Sequence, residues 1–172
     1  MKILITLFLT LFISYANNLK AITSYQASFS QSIINNSGKE IKYEGEIFVQ
    51  NPSNIFWKYN NPIQKNVYII NNNVTIIEPE LEQAIISKLD KEFNILKLLK
   101  EAKKISKNIY ISNIYNNKYT LFINDNELQS IKYKDNIDNK ITISFTNIKQ
   151  NKKLAKNIFN FNIPLEYDII RK

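Results

Sequence analysis

The stretch YQASFSQSI, residues 25–33, decides the fold because apolar and polar side chains alternate along it. Tyr25, Ala27, Phe29 and Ile33 share one side of an extended chain, and the other side carries glutamine and serine residues. A period of two is that of a strand with one buried face. The stretch therefore predicts a half-buried β-strand.

A second alternating stretch, residues 41–49, follows the sequence NNSG at residues 35–38. Asn and Gly tolerate the left-handed backbone of tight turns, so the two stretches together predict a β-hairpin. Residues 67–70 and 74–77 flank three asparagines and predict another hairpin.

Further apolar stretches predict a meander of short antiparallel strands. They lie at residues 55–59, 109–114, 119–123, 128–133 and 141–145, and a last segment, residues 159–163, ends at Pro164. Turns rich in Asn and Asp separate most of them. The sequence therefore predicts a mainly β protein.

The period changes to about 3.6 over residues 90–106, which predicts an amphipathic helix capped by the aspartate that begins it. Ile95, Leu98, Leu99 and Ala102 fall on one face. A strongly curved sheet leaves a concave apolar face that needs a cover, and this helix is the candidate. The pattern allows a pocket between them but does not say what fills it.

The composition excludes several chemistries. The 172 residues include no Cys and no His, so a thiolate nucleophile, a Ser–His relay and a common zinc site are absent. The paired acids Glu44 with Glu46 and Glu78 with Glu80 each share a strand face, where carboxylates more often aid solubility than catalysis. We expect no enzyme activity and no cofactor.

The net charge is +8, and the lysines cluster only around residues 97–107. We interpret this cluster as a solvated helix face rather than a nucleic-acid site.

The first sixteen residues have the pattern of an export signal. Lys2 precedes an apolar run, residues 3–13, and small residues at Ser14 and Ala16 suit a signal peptidase. An uncleaved membrane anchor is the alternative. We expect residues 17–172 to form a single domain in the periplasm, and no cysteine follows the cleavage site to be acylated.

Five motifs resemble a known family. YQASFSQ at residues 25–31, GEIFV at 45–49, NP with IFW at 51–57, EPELEQ at 78–83 and FNFNIP at 159–164 are similar, in order and spacing, to LolA, the outer-membrane lipoprotein carrier family. The resemblance extends from about residue 19 to residue 170.

The resemblance implies an unclosed antiparallel β half-barrel covered by a helical lid. It also implies a monomeric shuttle that takes acylated lipoproteins from an inner-membrane ABC transporter to an outer-membrane acceptor of the LolB type. Asn51 stands where the family usually has Arg, a residue implicated in lid closure, so closure here is expected to use other contacts.

The expected acyl-chain site combines the inward strand face with the lid. It comprises Phe29, Tyr43, Ile47, Ile55, Trp57, Tyr59 and Ile69 on the strands and Ile95, Leu98, Leu99 and Ala102 on the lid. Plain core packing is the alternative for each residue. Burial of acyl chain stabilises by about 0.8 kcal/mol per CH₂, so we expect partial coverage that permits release. A general periplasmic lipid binder or an envelope-sensing module of the same fold is the alternative function.

Overall fold

The computed structural model describes residues 19–50, 54–89, 94–114 and 116–172. The predicted signal sequence, the expected cap Asp90 and Asn51 lie outside these ranges.

Twelve strands of the described residues form one sheet. They are β1 Ser24–Ile34, β2 Glu40–Gln50, β3 Asn54–Asn61, β4 Lys65–Ile70, β5 Asn73–Glu78, β6 Gln83–Lys88, β7 Lys103–Lys104, β8 Ile109–Ile114, β9 Asn117–Asn124, β10 Glu127–Lys134, β11 Lys140–Gln150 and β12 Asp168–Arg171. Their order across the sheet is β12-β6-β5-β4-β3-β2-β1-β11-β10-β9-β8-β7. The two edges, β12 and β7, do not pair with each other, so the sheet is unclosed.

The predicted hairpins are confirmed. β1 pairs antiparallel with β2, with Tyr25 opposite Val49, and β4 pairs antiparallel with β5. Asn71 and Asn72 have φ values of 48° and 67°, the left-handed conformation that Asn tolerates in a tight turn. The asparagine-rich turns therefore set the register of these strands.

The predicted helix is shorter than the sequence indicates. The observed helix, α1, is Ile95–Glu101, and its cap is Asn94, whose side-chain oxygen accepts hydrogen bonds from the N–H groups of Leu96 and Lys97. The prediction that it continues to residue 106 is wrong, because Ala102 is extended and the next two residues pair with β8 as strand β7.

Two strands and one segment differ from the sequence prediction. The sequence analysis did not predict β6 or β12, which pair parallel with each other at one edge. Of residues 159–163, only Phe159 belongs to a regular element, the 3₁₀ turn Lys156–Phe159, so the strand predicted there is wrong.

The sheet bends around an apolar interior. Trp57 on β3 and Ile131 on β10 belong to one hydrophobic cluster. Burial raises the pKa of Tyr133 on β10, and the phenols of Tyr119 and then of Tyr59 on β3 raise it further, so β3 and β10 approach each other across the interior. Four strand spacings separate β3 from β10 along the sheet, about 19 Å if it were flat. The concave side, here called the inner face, carries the main hydrophobic cluster, and the convex side is called the outer face.

Candidate functional site

The inner face brings together every residue of the predicted acyl-chain site. The seven strand residues and the four expected lid residues belong to, or pack against, one hydrophobic cluster. Phe29, Ile47, Ile55, Trp57 and Ile69 are buried, and both predicted tyrosines are partly exposed. The structure thus places the predicted residues side by side.

Edge-to-face aromatic contacts organise the centre of this face. The ring of Phe29 lies 5.0 Å from that of Trp57 and 5.1 Å from that of Tyr59, at interplanar angles of 79° and 78°. Tyr43 makes a similar contact with Tyr59 at 5.7 Å. Such pairs contribute about 0.5–1.5 kcal/mol each beyond the area they bury, so they stabilise this aromatic part of the wall.

Gly45 allows β2 and β3 to come close beneath these rings. A Cβ atom at this position would lie 1.9 Å from the carbonyl oxygen of Lys58 and 3.0 Å from the Phe29 ring. The register between β2 and β3 shifts at Gly45, consistent with a bulge that bends the sheet.

Tyrosine hydroxyl groups make one part of the interior polar. Burial raises the pKa of Tyr59 to about 12, with a further contribution from Tyr43, and the Tyr59 hydroxyl donates to Gln31 Oε1 at 3.4 Å. The Lys65 ammonium lies 4.7 Å from the centre of the Tyr59 ring, a cation–π contact. The Tyr59 phenol therefore stays neutral at ordinary pH, and the Lys65 ammonium beside its ring makes this part of the wall polar.

The helix α1 packs against the apolar part of the inner face. Ile95, Leu98 and Leu99 are at most 1% exposed, and Ala102 is partly exposed. The helix packs against β8 and against the 3₁₀ turn Leu19–Ala21. Its spacing of apolar residues places them toward the sheet and leaves its lysines in solvent.

The sequence analysis missed half of the inner wall. Strands β8 to β11 and the start of β1 supply further buried residues, namely Tyr25, Tyr110, Ile114, Leu121, Ile123, Leu128, Ile131, Ile143 and Phe145. The Tyr25 hydroxyl donates to the carbonyl of Leu128 at 3.0 Å and ties β1 to β10. The same two-residue alternation marks most of them, so the signal was present.

A second hydrophobic cluster, the outer cluster, lies on the other side of the sheet. It contains Phe56, Tyr68, Ile77, Leu154 and Phe159. The ring of Phe56 stacks on that of Tyr68 at 4.3 Å, and the residues after β11 cover both. Phe56 therefore faces away from its neighbour Trp57.

The acid pairs show no arrangement for catalysis. Glu44 and Glu46 line an outer-face cavity of about 480 Å³ with serines and asparagines. Glu46 lies 4.0 Å from the Lys58 ammonium, and Glu78 accepts a hydrogen bond from Gln83. Within the described ranges, no three acidic side chains converge as metal ligands would.

Together these features define a class: an open, mainly antiparallel β half-barrel with one helix on its apolar inner face. The class agrees with comparisons to known proteins. Residues 20–123 match the family model described as outer membrane lipoprotein carrier protein LolA.

Curated relatives place the chain within that family. An outer-membrane lipoprotein carrier protein of Wolinella succinogenes is 34% identical over 154 residues, covering 89% of this chain and 90% of the relative. One of Campylobacter jejuni is 34% identical over 148 residues, covering 86% of each chain. The chain belongs to the LolA family of outer-membrane lipoprotein carrier proteins, a family of carriers rather than enzymes.

A solved structure shares the fold at much lower identity. An uncharacterized conserved protein from Thermus thermophilus superposes with a TM-score of 0.55 at 9% identity, covering 89% of this chain and 93% of that one. Of the helices in the described ranges, none has the length and apolar character needed to cross a bilayer.

Proposed function

We propose that this chain holds the acyl chains of lipoproteins between the inner face of the sheet and α1, and carries them through the periplasm from the inner to the outer membrane. The observation that supports this most directly is that apolar residues of the inner face and of the short helix α1 form one hydrophobic cluster, in which Ile95, Leu98 and Leu99 are at most 1% exposed. The carrier relatives support the same interpretation.

In this proposal α1 acts as the lid and moves when cargo enters. Its connection to the sheet after Ala102 is slight, because β7 has only two residues, paired with Ile111 and Tyr110. A two-residue strand contributes few backbone hydrogen bonds, so α1 can separate from the inner face without disturbing the long strands.

The energies of opening and binding are comparable. Exposing Ile95, Leu98 and Leu99 costs about 1.5–3 kcal/mol each, on the order of 5–9 kcal/mol together. One acyl chain of about 16 carbons recovers about 12 kcal/mol at about 0.8 kcal/mol per CH₂. A single chain that replaces the lid residues against the inner wall is therefore enough to hold the lid open, and the small difference keeps release possible.

Onward transfer needs only that the acceptor binds the cargo more tightly than this chain does. Each tenfold gain in affinity corresponds to about 1.4 kcal/mol, so an acceptor that binds somewhat more tightly takes the cargo without nucleotide. We propose an inner-membrane ABC transporter as the donor and an outer-membrane protein of the LolB type as the acceptor.

The chain carries its own reporter for a test of this site. Trp57 is its one tryptophan, and its ring lies in the inner wall. A synthetic diacylated lipopeptide with brominated acyl chains should quench Trp57 fluorescence on binding, because bromine quenches at short range. The control chain, Trp57→Phe with Phe56→Trp, moves the tryptophan to the outer cluster and should bind without quenching.

Quenching of equal size in both chains, or binding without quenching of Trp57, would place the lipid elsewhere and refute the inner-face site. The cargo itself is checked separately. Native mass spectrometry of protein taken from the periplasm should show acylated polypeptide, and free phospholipid alone would contradict carriage of lipoproteins.

A further inference from the structure

The outer face has two unlike halves. Over β3 and β4 the outer cluster is covered by Leu154 and Phe159. Over β7 to β10 the corresponding face is exposed and carries both lysines and apolar side chains. We call this second region the lysine face; its members are Lys103, Ile109, Ile111, Lys118, Thr120, Phe122, Ser130, Lys132 and Lys134.

The strand register fixes how these side chains are arranged. Lys103 lies opposite Ile111, which lies opposite Thr120, which lies opposite Lys132. This row crosses four strands, so its two lysines are about 14 Å apart. Cross-strand neighbours point to the same side, so the row presents an ammonium group at each end of an uncharged centre.

The adjacent row supplies an exposed apolar centre. Ile109 pairs with Phe122, and these side chains are 37% and 43% exposed. Ile105, next to β7, is 59% exposed. Apolar side chains that project from among lysines are typical of surfaces that rest in the headgroup region of a membrane.

The charge of this region is strongly one-sided. The nine side chains named for the lysine face include four lysines, Lys103, Lys118, Lys132 and Lys134, and no acid, for a net charge of +4. Such a concentration attracts an anionic surface and orients the protein as it approaches.

A cavity of about 720 Å³ opens at the end of the lysine face. Lys118, Lys132, Lys134 and Lys140 line it, together with the threonines Thr120 and Thr142. Ammonium and hydroxyl donors around one space suit a phosphate group, and the volume is that of an ordinary small-molecule site.

Two carboxylates also line this cavity, and both are already engaged. Asp138 accepts from Lys134 at 3.4 Å. Asp135 accepts from the N–H groups of Ile137 and Asn139 and from the Asn139 amide; desolvation opposes its charged form, but these hydrogen bonds hold its pKa below the usual range. The remaining lysines are therefore available for an external anion.

We propose that the lysine face docks on anionic phospholipid, with exposed Ile109 and Phe122 entering the headgroup layer and the cavity taking a lipid phosphate. The occupant is a membrane surface rather than an acidic protein, because the lysines surround apolar side chains beside a cavity of headgroup size. This docking would be separate from cargo binding, which uses the opposite face of the sheet.

Flotation with lipid vesicles tests the proposal. The protein should float with vesicles of phosphatidylglycerol in phosphatidylcholine, remain unbound with pure phosphatidylcholine, and dissociate as salt is raised. The triple variant K103Q/K118Q/K132Q should bind about 100-fold more weakly. The control K149Q/K152Q/K153Q removes the same charge from exposed lysines elsewhere and should stay within about twofold of the parent.

A second variant tests the apolar contribution. Phe122→Ser should weaken vesicle binding about tenfold, with the loss persisting at high salt. Its far-UV circular dichroism should match the parent, since this side chain is already 43% exposed. The lysine triple should also leave the fluorescence quenching of Trp57 by brominated lipopeptide unchanged.

The proposal fails on equal binding to neutral and anionic vesicles, on a control triple that loses as much binding as the lysine-face triple, or on no vesicle binding at all. Binding to native membranes that disappears on vesicles made from their extracted lipids would also overturn it, in favour of an acidic protein partner.

Discussion

The α-carbon of Gly45 lies so close to the carbonyl group of Lys58 that an added Cβ would stand 1.9 Å from the oxygen. Both atoms belong to backbone at the point where the register of β2 and β3 shifts. A side chain here cannot be accommodated by rotamer changes, and the strands themselves must separate.

Gly45→Ala should therefore destabilise the fold by about 3 kcal/mol, the upper part of the usual range for overpacking. Urea unfolding followed by circular dichroism measures this. The other glycine provides the control: Gly38 has φ +82° with open space around its Cβ position, so Gly38→Asn should cost less than about 1 kcal/mol. Equal losses at both positions would show that the close approach at Gly45 is unimportant.

The Asn94 cap should set the stability of α1. Its side chain accepts hydrogen bonds from Leu96 and Lys97 at 2.9 and 3.2 Å, and Asn94→Ala should cost about 1 kcal/mol. If α1 is the lid, the variant should also bind brominated lipopeptide faster in stopped-flow quenching of Trp57. Asn94→Asp keeps the acceptor and serves as the control, so a similar change in both variants would contradict the role of the cap.

Alternation along the strands made much of the fold predictable. The pattern at residues 25–33 and 41–49 identified β1, β2 and the side of each strand that faces the interior, because a period of two leaves little freedom in a half-buried sheet. The inner-wall residues Phe29, Ile47 and Trp57 follow from the same pattern. Whether they hold lipid is a question of ligand chemistry that periodicity does not address.

The end of α1 was not predictable in this way. Residues 102–106 continue a helical spacing of apolar positions, yet Lys103 and Lys104 pair with β8. Backbone pairing with a distant strand outweighs local periodicity there. The same reason applies to β6 and β12, whose parallel pairing joins residues more than eighty positions apart.

The outer cluster left a local signal that the sequence analysis did not use. Ile55, Phe56 and Trp57 are consecutive apolar residues, and all three are buried. A continuous apolar run is typical of a strand covered on both faces. Taken that way, residues 55–57 indicate that another part of the chain must cover the outer side of β3.

The tyrosines of the inner face should make the fold sensitive to alkali. Burial raises the pKa of Tyr59 to about 12 and also raises those of Tyr25 and Tyr133. A folded pKa above the unfolded value of 10.0 means that the stabilisation is complete below pH 10 and is lost as pH rises through the folded pKa. Melting temperature should therefore fall steeply only above about pH 10.

Tyr133→Phe checks whether phenols with a raised pKa cause the loss of stability in alkali. It removes one ionising phenol, so the decline in melting temperature with pH should become shallower between pH 10 and 12. Spectrophotometric titration of the folded parent should show some tyrosines ionising only at the alkaline limit. If all of them ionise together near pH 10, the phenols are not buried in solution.

The segment after β11 should stabilise the sheet from its outer side without contacting the cargo site. Phe159 is 6% exposed in the outer cluster, and Phe159→Ala should cost about 3–5 kcal/mol, the usual loss for a buried phenylalanine. Leu165, in the same segment, is fully exposed, and Leu165→Ala should be neutral within about 0.5 kcal/mol. Urea midpoints for both variants measure the difference.

The outer cluster and the inner wall lie on opposite faces of the sheet, so Phe159→Ala should not change cargo binding. At urea concentrations where this variant is still folded, brominated lipopeptide should quench Trp57 as it does in the parent. A loss of quenching in that variant would show that the two faces are coupled through β3, where Phe56 and Trp57 adjoin.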